Sequence, residues 1–200
     1  MLTLTIVALL VQAPGRPLHY WGPRPATLRT DAAPREGPEA RVREVHGVVD
    51  GGELVLRVTF DRPVREALYL PSGAPVSGRL RAALYVDGDL NRRTGWTAGA
   101  GDPRTGADYR VDLGVIALGA DERVRAQALV TVSAVALVGG TRQRSLWTGD
   151  HSATPERVSL RGDAVEVRLP AEGFSISETA RVALVDGEQA YEGRLRSIVQ

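Results

Sequence analysis

The chain has 200 residues, 43% of them apolar, with 25 basic and 24 acidic side chains and a formal charge of +1. That length carries one domain with a full core, and nothing in the even charge balance suggests a nucleic-acid polyanion as partner, which would need a basic excess on one face. Cysteine is absent, which excludes disulfides, zinc-thiolate sites and cysteine nucleophiles.

Leu2 to Val11 is apolar apart from Thr3 and Thr5. It has the length of a signal-peptide core, and Val11-Gln12-Ala13 offers small-residue cleavage chemistry. No Lys or Arg precedes the run and Pro14 follows it, so a first strand or an incorrectly chosen start codon is the alternative. The expectation is a signal peptide at 1–13 and a secreted, periplasmic or cell-envelope location. The run is shorter than the roughly 20 residues of a membrane span.

Residues 14–40 hold Pro14, Pro17, Pro23, Pro25, Pro34 and Pro38, half of the chain's 12 prolines. Proline fixes φ and lacks an N–H, which excludes a helix or a central strand. The stretch reads as a linker or a strap over the domain, with His19, Tyr20 and Trp21 available to dock.

From residue 41 to the end the dominant period is two. Leu54, Leu56, Val58 and Phe60 share one face of a strand; Glu53, Arg57 and Thr59 share the other, with Val55 among them. Asp50-Gly51-Gly52 joins it to Val45–Val49 as a hairpin. Further alternating sets are Leu80 to Val86, Tyr109 to Val115, Val124 to Val138, Val165 to Leu169 (after an Arg161-Gly162-Asp163 turn), Val182 with Leu184, and Tyr191 with Leu195. No long 3.6-residue period occurs. The expectation is an all-β, antiparallel two-sheet β-sandwich, jelly-roll-like. Any helix is short and falls at Arg62–Tyr69 or Ala171–Ser177.

Between two of these strands lies Asp87-Gly88-Asp89-Leu90-Asn91-Arg92-Arg93-Thr94-Gly95-Trp96, followed by a Gly-rich stretch and Asp108. Ca²⁺ takes 6–8 oxygen ligands. Carboxylates and an amide at alternate positions, with Gly between the first two, let a tight turn converge oxygens on one point. Asp87, Asp89 and Asn91 are the candidate ligands, Asp108 closes the site from the next strand, and Asp102 is a further donor. An EF-hand is excluded, because Arg92 stands where its Gly belongs and Ala98 where its Glu belongs. Asp, Asn and Gly are also ordinary turn residues, so a plain hairpin loop is the competing reading.

The run Leu84-Tyr85-Val86-Asp87-x-Asp89-x-Asn91-x-x-Thr94-Gly95-Trp96, then Gly106-Ala107-Asp108-Tyr109, resembles a signature of exported bacterial β-sandwich domains. These are the family 9 carbohydrate-binding modules and the wider DOMON-like group. Val165-Glu166-Val167-Arg168-Leu169-Pro170 is similar to a strand of those domains, and the resemblance spans roughly Val42 to Arg196. It implies a jelly-roll-like sandwich with a structural Ca²⁺ held by Asp87, Asp89, Asn91 and Asp108. It also implies a glycan ligand clamped by paired aromatics, for which no pair maps onto this chain.

Trp96, Tyr109 and Trp147 are the candidate ligand-contacting aromatics, with Trp96 and Trp147 expected in loops. The competing reading is that such rings cap the core. His19, His46 and His151 lie on unrelated segments, and neither Gly-x-Ser-x-Gly nor His-Glu-x-x-His occurs. The functional expectation is a non-catalytic, calcium-stabilised exported module that binds a glycan or another envelope ligand. The alternatives are an envelope interaction domain without a small ligand and a glycoside hydrolase using Asp87 and Asp89.

Overall fold

Side chains that alternate apolar and polar bury one face of each strand, so a chain of such strands closes face to face. The computed structural model describes residues 17–22, 26–30, 40–64, 81–97, 99–118, 127–138, 142–177, 179–186 and 189–197. Its elements are strands: β1 (Leu28–Arg29), β2 (Val42–Asp50), β3 (Glu53–Phe60), β4 (Arg81–Asp87), β5 (Tyr109–Leu118), β6 (Gln127–Val138), β7 (Arg142–Asp150), β8 (Val158–Arg161), β9 (Ala164–Leu169), β10 (Thr179–Asp186) and β11 (Gln189–Ser197). They form a β-sandwich of a six-stranded sheet, β7-β6-β5-β4-β10-β11, and a five-stranded sheet, β1-β2-β3-β9-β8. Neighbours within each sheet are antiparallel. The sheets meet at a seam where β11 runs parallel to β2 at Arg196↔Val48 and Ser197↔Val49, so the hydrogen-bonded ladder is continuous across it.

The main core takes Val45, Leu54, Leu56, Val58, Phe60, Val165, Val167 and Leu169 from one sheet. Leu84, Val86, Val111, Val132, Val182, Leu184 and Leu195 come from the other. Each of these is at most 1% exposed. Val55, the apolar misfit on the polar face of β3, is buried on the outer side against Val48 and Trp21. The strap therefore docks through Trp21, whereas Tyr20 is 86% exposed.

The Asp50-Gly51-Gly52 hairpin closes with Asp50↔Glu53 in register. Both glycines have positive φ, 59° and 82°, the conformation a two-residue type I′ turn demands. Three strands escaped the periodicity. β1 and β8 are short, and β7 (Arg-Gln-Arg-Ser-Leu-Trp-Thr-Gly-Asp) is an edge strand without apolar alternation. Trp147 therefore stands on a strand and not in a loop. Ala171–Ser177 forms a turn in place of a helix, closed by Phe174 N–H donating to Ala171 C=O at 3.2 Å. The expected signal peptide at 1–13, Leu80, Val124 to Ala126 and 65–69 of the other candidate helix lie outside the described residues. Among the described residues no helix is long and apolar enough to cross a membrane.

β1 lies at the seam, pairing with β2 at Leu28↔Val45. A Cβ on Gly193 of β11 would stand 2.0 Å from Thr27 O. Gly193→Ala must push the strap backbone out of the seam. It is expected to cost about 1–3 kcal/mol, read as a lower urea midpoint at unchanged slope.

Candidate metal centre

Alternation along β4 sends Leu84 and Val86 into the core and Tyr85 and Asp87 to the outer face of the six-stranded sheet. Asp87 ends the strand directly opposite Arg181 of β10. Both side chains are buried, at 2% and 6% exposure, and the guanidinium grips Oδ2 of Asp87 through Nη2 at 2.7 Å and Nε at 3.1 Å. Oδ1 of Asp87 is buried with no hydrogen-bond partner. A buried carboxylate oxygen without a donor is costly, so this atom is the anomaly of the site.

The next residues converge on it. Gly88 N–H donates to Asp108 Oδ2 at 2.9 Å, drawing the start of β5 across the loop. Asn91 N–H donates to Asp89 Oδ1 at 2.8 Å, and the Thr94 hydroxyl donates to Asp89 Oδ2 at 3.0 Å. Leu90 between them is held at φ 58°, a left-handed conformation that costs a leucine about 1–2 kcal/mol. Asp87, Asp89 and Asp108 each present one carboxylate oxygen, all within 4.8 Å of one another. Oxygens on one Ca²⁺ at 2.3–2.6 Å lie up to about 5 Å apart.

Two glycines close the loop. Gly95 and Gly106 have φ of 65° and 90°. A Cβ on Gly95 would stand 2.2 Å from Ala107 O, and one on Gly106 would stand 2.6 Å from Arg92 Cα. Trp96 N–H then donates to Ala107 C=O at 2.7 Å, and Gly106 N–H donates to Trp96 C=O at 2.8 Å. Arg181 holds the far side of the loop by donating to Pro103 O and Thr105 O, and it also donates to Glu192 Oε2 on β11.

Burial pushes the Asp87 carboxyl above its usual range against the opposing pull of Arg181, and Asp89 adds repulsion. Burial raises Asp108 as well, with Asp89 and Asp87 adding to it. Three carboxylates against one guanidinium leave two formal negative charges, the balance a divalent cation supplies.

Of the ligand set read from sequence, Asp87, Asp89 and Asp108 come together. Asn91 turns its Oδ1 to its own loop, accepting from Arg93 N–H at 3.1 Å. Asp102 lies in an ion pair with Arg104, whose hydrogen bonds hold its carboxyl below the usual range. Arg181 was not read from the sequence: it lies 94 positions from Asp87, and only strand pairing brings them opposite.

The three aromatics do not converge. Tyr109 is 7% exposed in the main core, with its ring 5.0 Å from Phe174 and its hydroxyl bonded to both N–H and C=O of Ser175. Trp147 packs against the same core from β7. Trp96 lies on the opposite, outer face with Tyr85, Leu137 and Ala183, its Nε1 buried without a partner. A shared stacking platform is not what this arrangement provides. Comparison with protein-family models, with curated proteins and with solved structures gave no match to this chain.

A carboxyl raised in the folded state holds its proton more tightly there than in the unfolded chain. Its penalty is absent below the ordinary carboxylate range and grows as pH rises through the raised folded value. In chelator, stability is therefore expected to fall from acid toward neutral pH through Asp87 and Asp108. Asp108→Asn, which keeps an oxygen for Gly88 N–H, should flatten that fall in melting curves across the range; an unchanged slope removes Asp108 from the account.

Proposed function

We propose that the chain is a non-catalytic β-sandwich module whose Asp87–Asp108 loop is closed by a divalent cation. Ca²⁺ is the ion the donors fit: the set is oxygen only, unevenly buried and irregular, and Ca²⁺ accepts flexible coordination where Mg²⁺ demands a near-ideal octahedron. The observation that carries the reading is the buried, partner-free Oδ1 of Asp87 among two further carboxylates. The ion would bridge the end of β4, the Asp89 turn and the start of β5. Its role is to pin the loop that carries Trp96 against the outer face of the six-stranded sheet.

A binding role is preferred to hydrolysis because Asp87 is 2% exposed and held by Arg181. A glycosidase needs two acids that flank a bound sugar, and a sealed carboxylate does not reach one. Export, read from residues 1–13, would deliver such a module to a calcium-rich compartment. A glycan or another envelope ligand remains the proposed ligand class. Tyr109 in the core and Trp147 packed against it form no shared platform, which favours the second reading, an envelope interaction domain without a small ligand.

Melting curves with Ca²⁺ and with chelator test the cation. Binding to the folded state alone adds about 2.7 kcal/mol at 100 times the dissociation constant, so millimolar Ca²⁺ is expected to raise the melting temperature by several degrees. Asp89→Ala is the clean arm, since Asp89 is exposed, and it should abolish the shift. Asp87→Ala should abolish it too and also destabilise the chelated protein, because Arg181 is left buried without its partner. Asn91→Ala should keep most of the shift. No shift at millimolar Ca²⁺ sinks the proposal.

A further inference from the structure

The outer face of the five-stranded sheet carries a polar row in register across four strands: His46, Arg57, Glu166 and Ser159. Glu166 is 2% exposed. Both of its oxygens accept from the strap: Leu18 N–H donates to Oε2 at 2.7 Å, and the Trp21 indole N–H donates to Oε1 at 3.1 Å. Arg168, held by Glu53 at 2.8 Å and Asp50 at 3.3 Å, donates to Leu18 C=O at 2.9 Å. The face thus grips the main chain of Leu18 at its N–H through Glu166 and at its C=O through Arg168. Three residues on, the Trp21 ring lies on Val48 and Val55, with the His19 ring 5.0 Å and the His46 ring 5.8 Å from it, edge-on. His19 Nδ1 stands 3.6 Å from Asp50 Oδ2.

Two features separate this contact from ordinary sheet packing. Residues 17–22 are not a strand of either sheet, so main-chain recognition runs through side chains of the face. The fit is also incomplete: Arg57, the cross-strand neighbour of Glu166, keeps its Nε buried with no partner. A buried donor left unpaired is a cost that a better occupant removes.

From this geometry we infer that the outer face of β2-β3-β9 is a recognition surface for an extended peptide, of which residues 18–21 are the resident, intramolecular copy. The partner it fits is an extended segment with a free peptide group at one position and an aromatic side chain three residues later. An acceptor within reach of Arg57 improves on the strap. Tyr20 points away from the surface, 86% exposed, so its position carries no preference. The inference stands apart from the cation site, which lies on the other sheet.

The test uses the full chain and the labelled peptide acetyl-Pro-Leu-His-Tyr-Trp-Gly-amide, the sequence of residues 17–22. A tethered segment competes at an effective concentration in the millimolar range, so the wild-type chain should bind the peptide weakly. Trp21→Ala removes the aromatic anchor of the resident copy and is expected to bind it at least about tenfold more tightly by fluorescence anisotropy. Adding Glu166→Gln to Trp21→Ala should cancel that gain. Leu18→Pro, which removes the N–H donated to Glu166 together with the leucine side chain and fixes φ there, gives a second opening variant should Trp21→Ala not fold. The proposal is overturned by equal peptide binding to wild type and both opened variants. It is overturned equally by undiminished binding when Glu166 is changed. If neither opened variant keeps the strand signature in circular dichroism, the strap is an integral part of the core and the proposal also fails.

Discussion

The buried pair of Asp87 and Arg181 is the contact on which the six-stranded sheet's outer face depends. It bonds the end of β4 to β10, and the same guanidinium reaches Pro103 O and Thr105 O in the long loop. A charge this buried is tolerated only when its donors and acceptors are met. Arg181 is met on all sides, whereas Asp87 is met on one oxygen only. That asymmetry separates a structural ion pair from a site with capacity to spare. The guanidinium balances one of the three carboxylates gathered there.

The two sheets solve the same problem in parallel ways. Each outer face carries a buried carboxylate, Asp87 on one and Glu166 on the other, and each is covered by an irregular segment of chain. Over Asp87 the cover is the loop from Gly88 to Ala107, fixed by Gly95 and Gly106 at close approach. Over Glu166 it is the strap, fixed by a main-chain N–H and an indole N–H. A sheet face left bare would expose Val48 and Val55 on one side and Tyr85, Leu137 and Ala183 on the other, an apolar surface that favours association. Polar anchoring lets an irregular segment lie there without the ladder a strand would need.

Legibility followed from the range of the interactions. The hairpin at Asp50-Gly51-Gly52 and the inward set of β3 were readable because turn chemistry and alternation are local. The loop from Asp87 was readable as a cluster, because Asp87 and Asp89 are two residues apart. β7 was not readable, since an edge strand has one covered face and little demand for apolar residues. Val55 looked like an exception to alternation until Trp21, far upstream, was found lying on it.

The sequence by itself determined the all-β class, the main strand faces and the three carboxylates that meet at the loop, and it added an amide, Asn91, that does not join them. These depend on period, on proline and glycine, and on neighbours within a few residues. Only the tertiary structure decided that Asp87 faces Arg181, that Asp102 turns to Arg104, that Tyr109 joins the core and that Trp147 packs, partly buried, against it. It alone joined Glu166 to Leu18 and Trp21. Those contacts span up to 148 positions along the chain, and which strands become neighbours is set by the sum of burial over both sheets, not by any segment read alone.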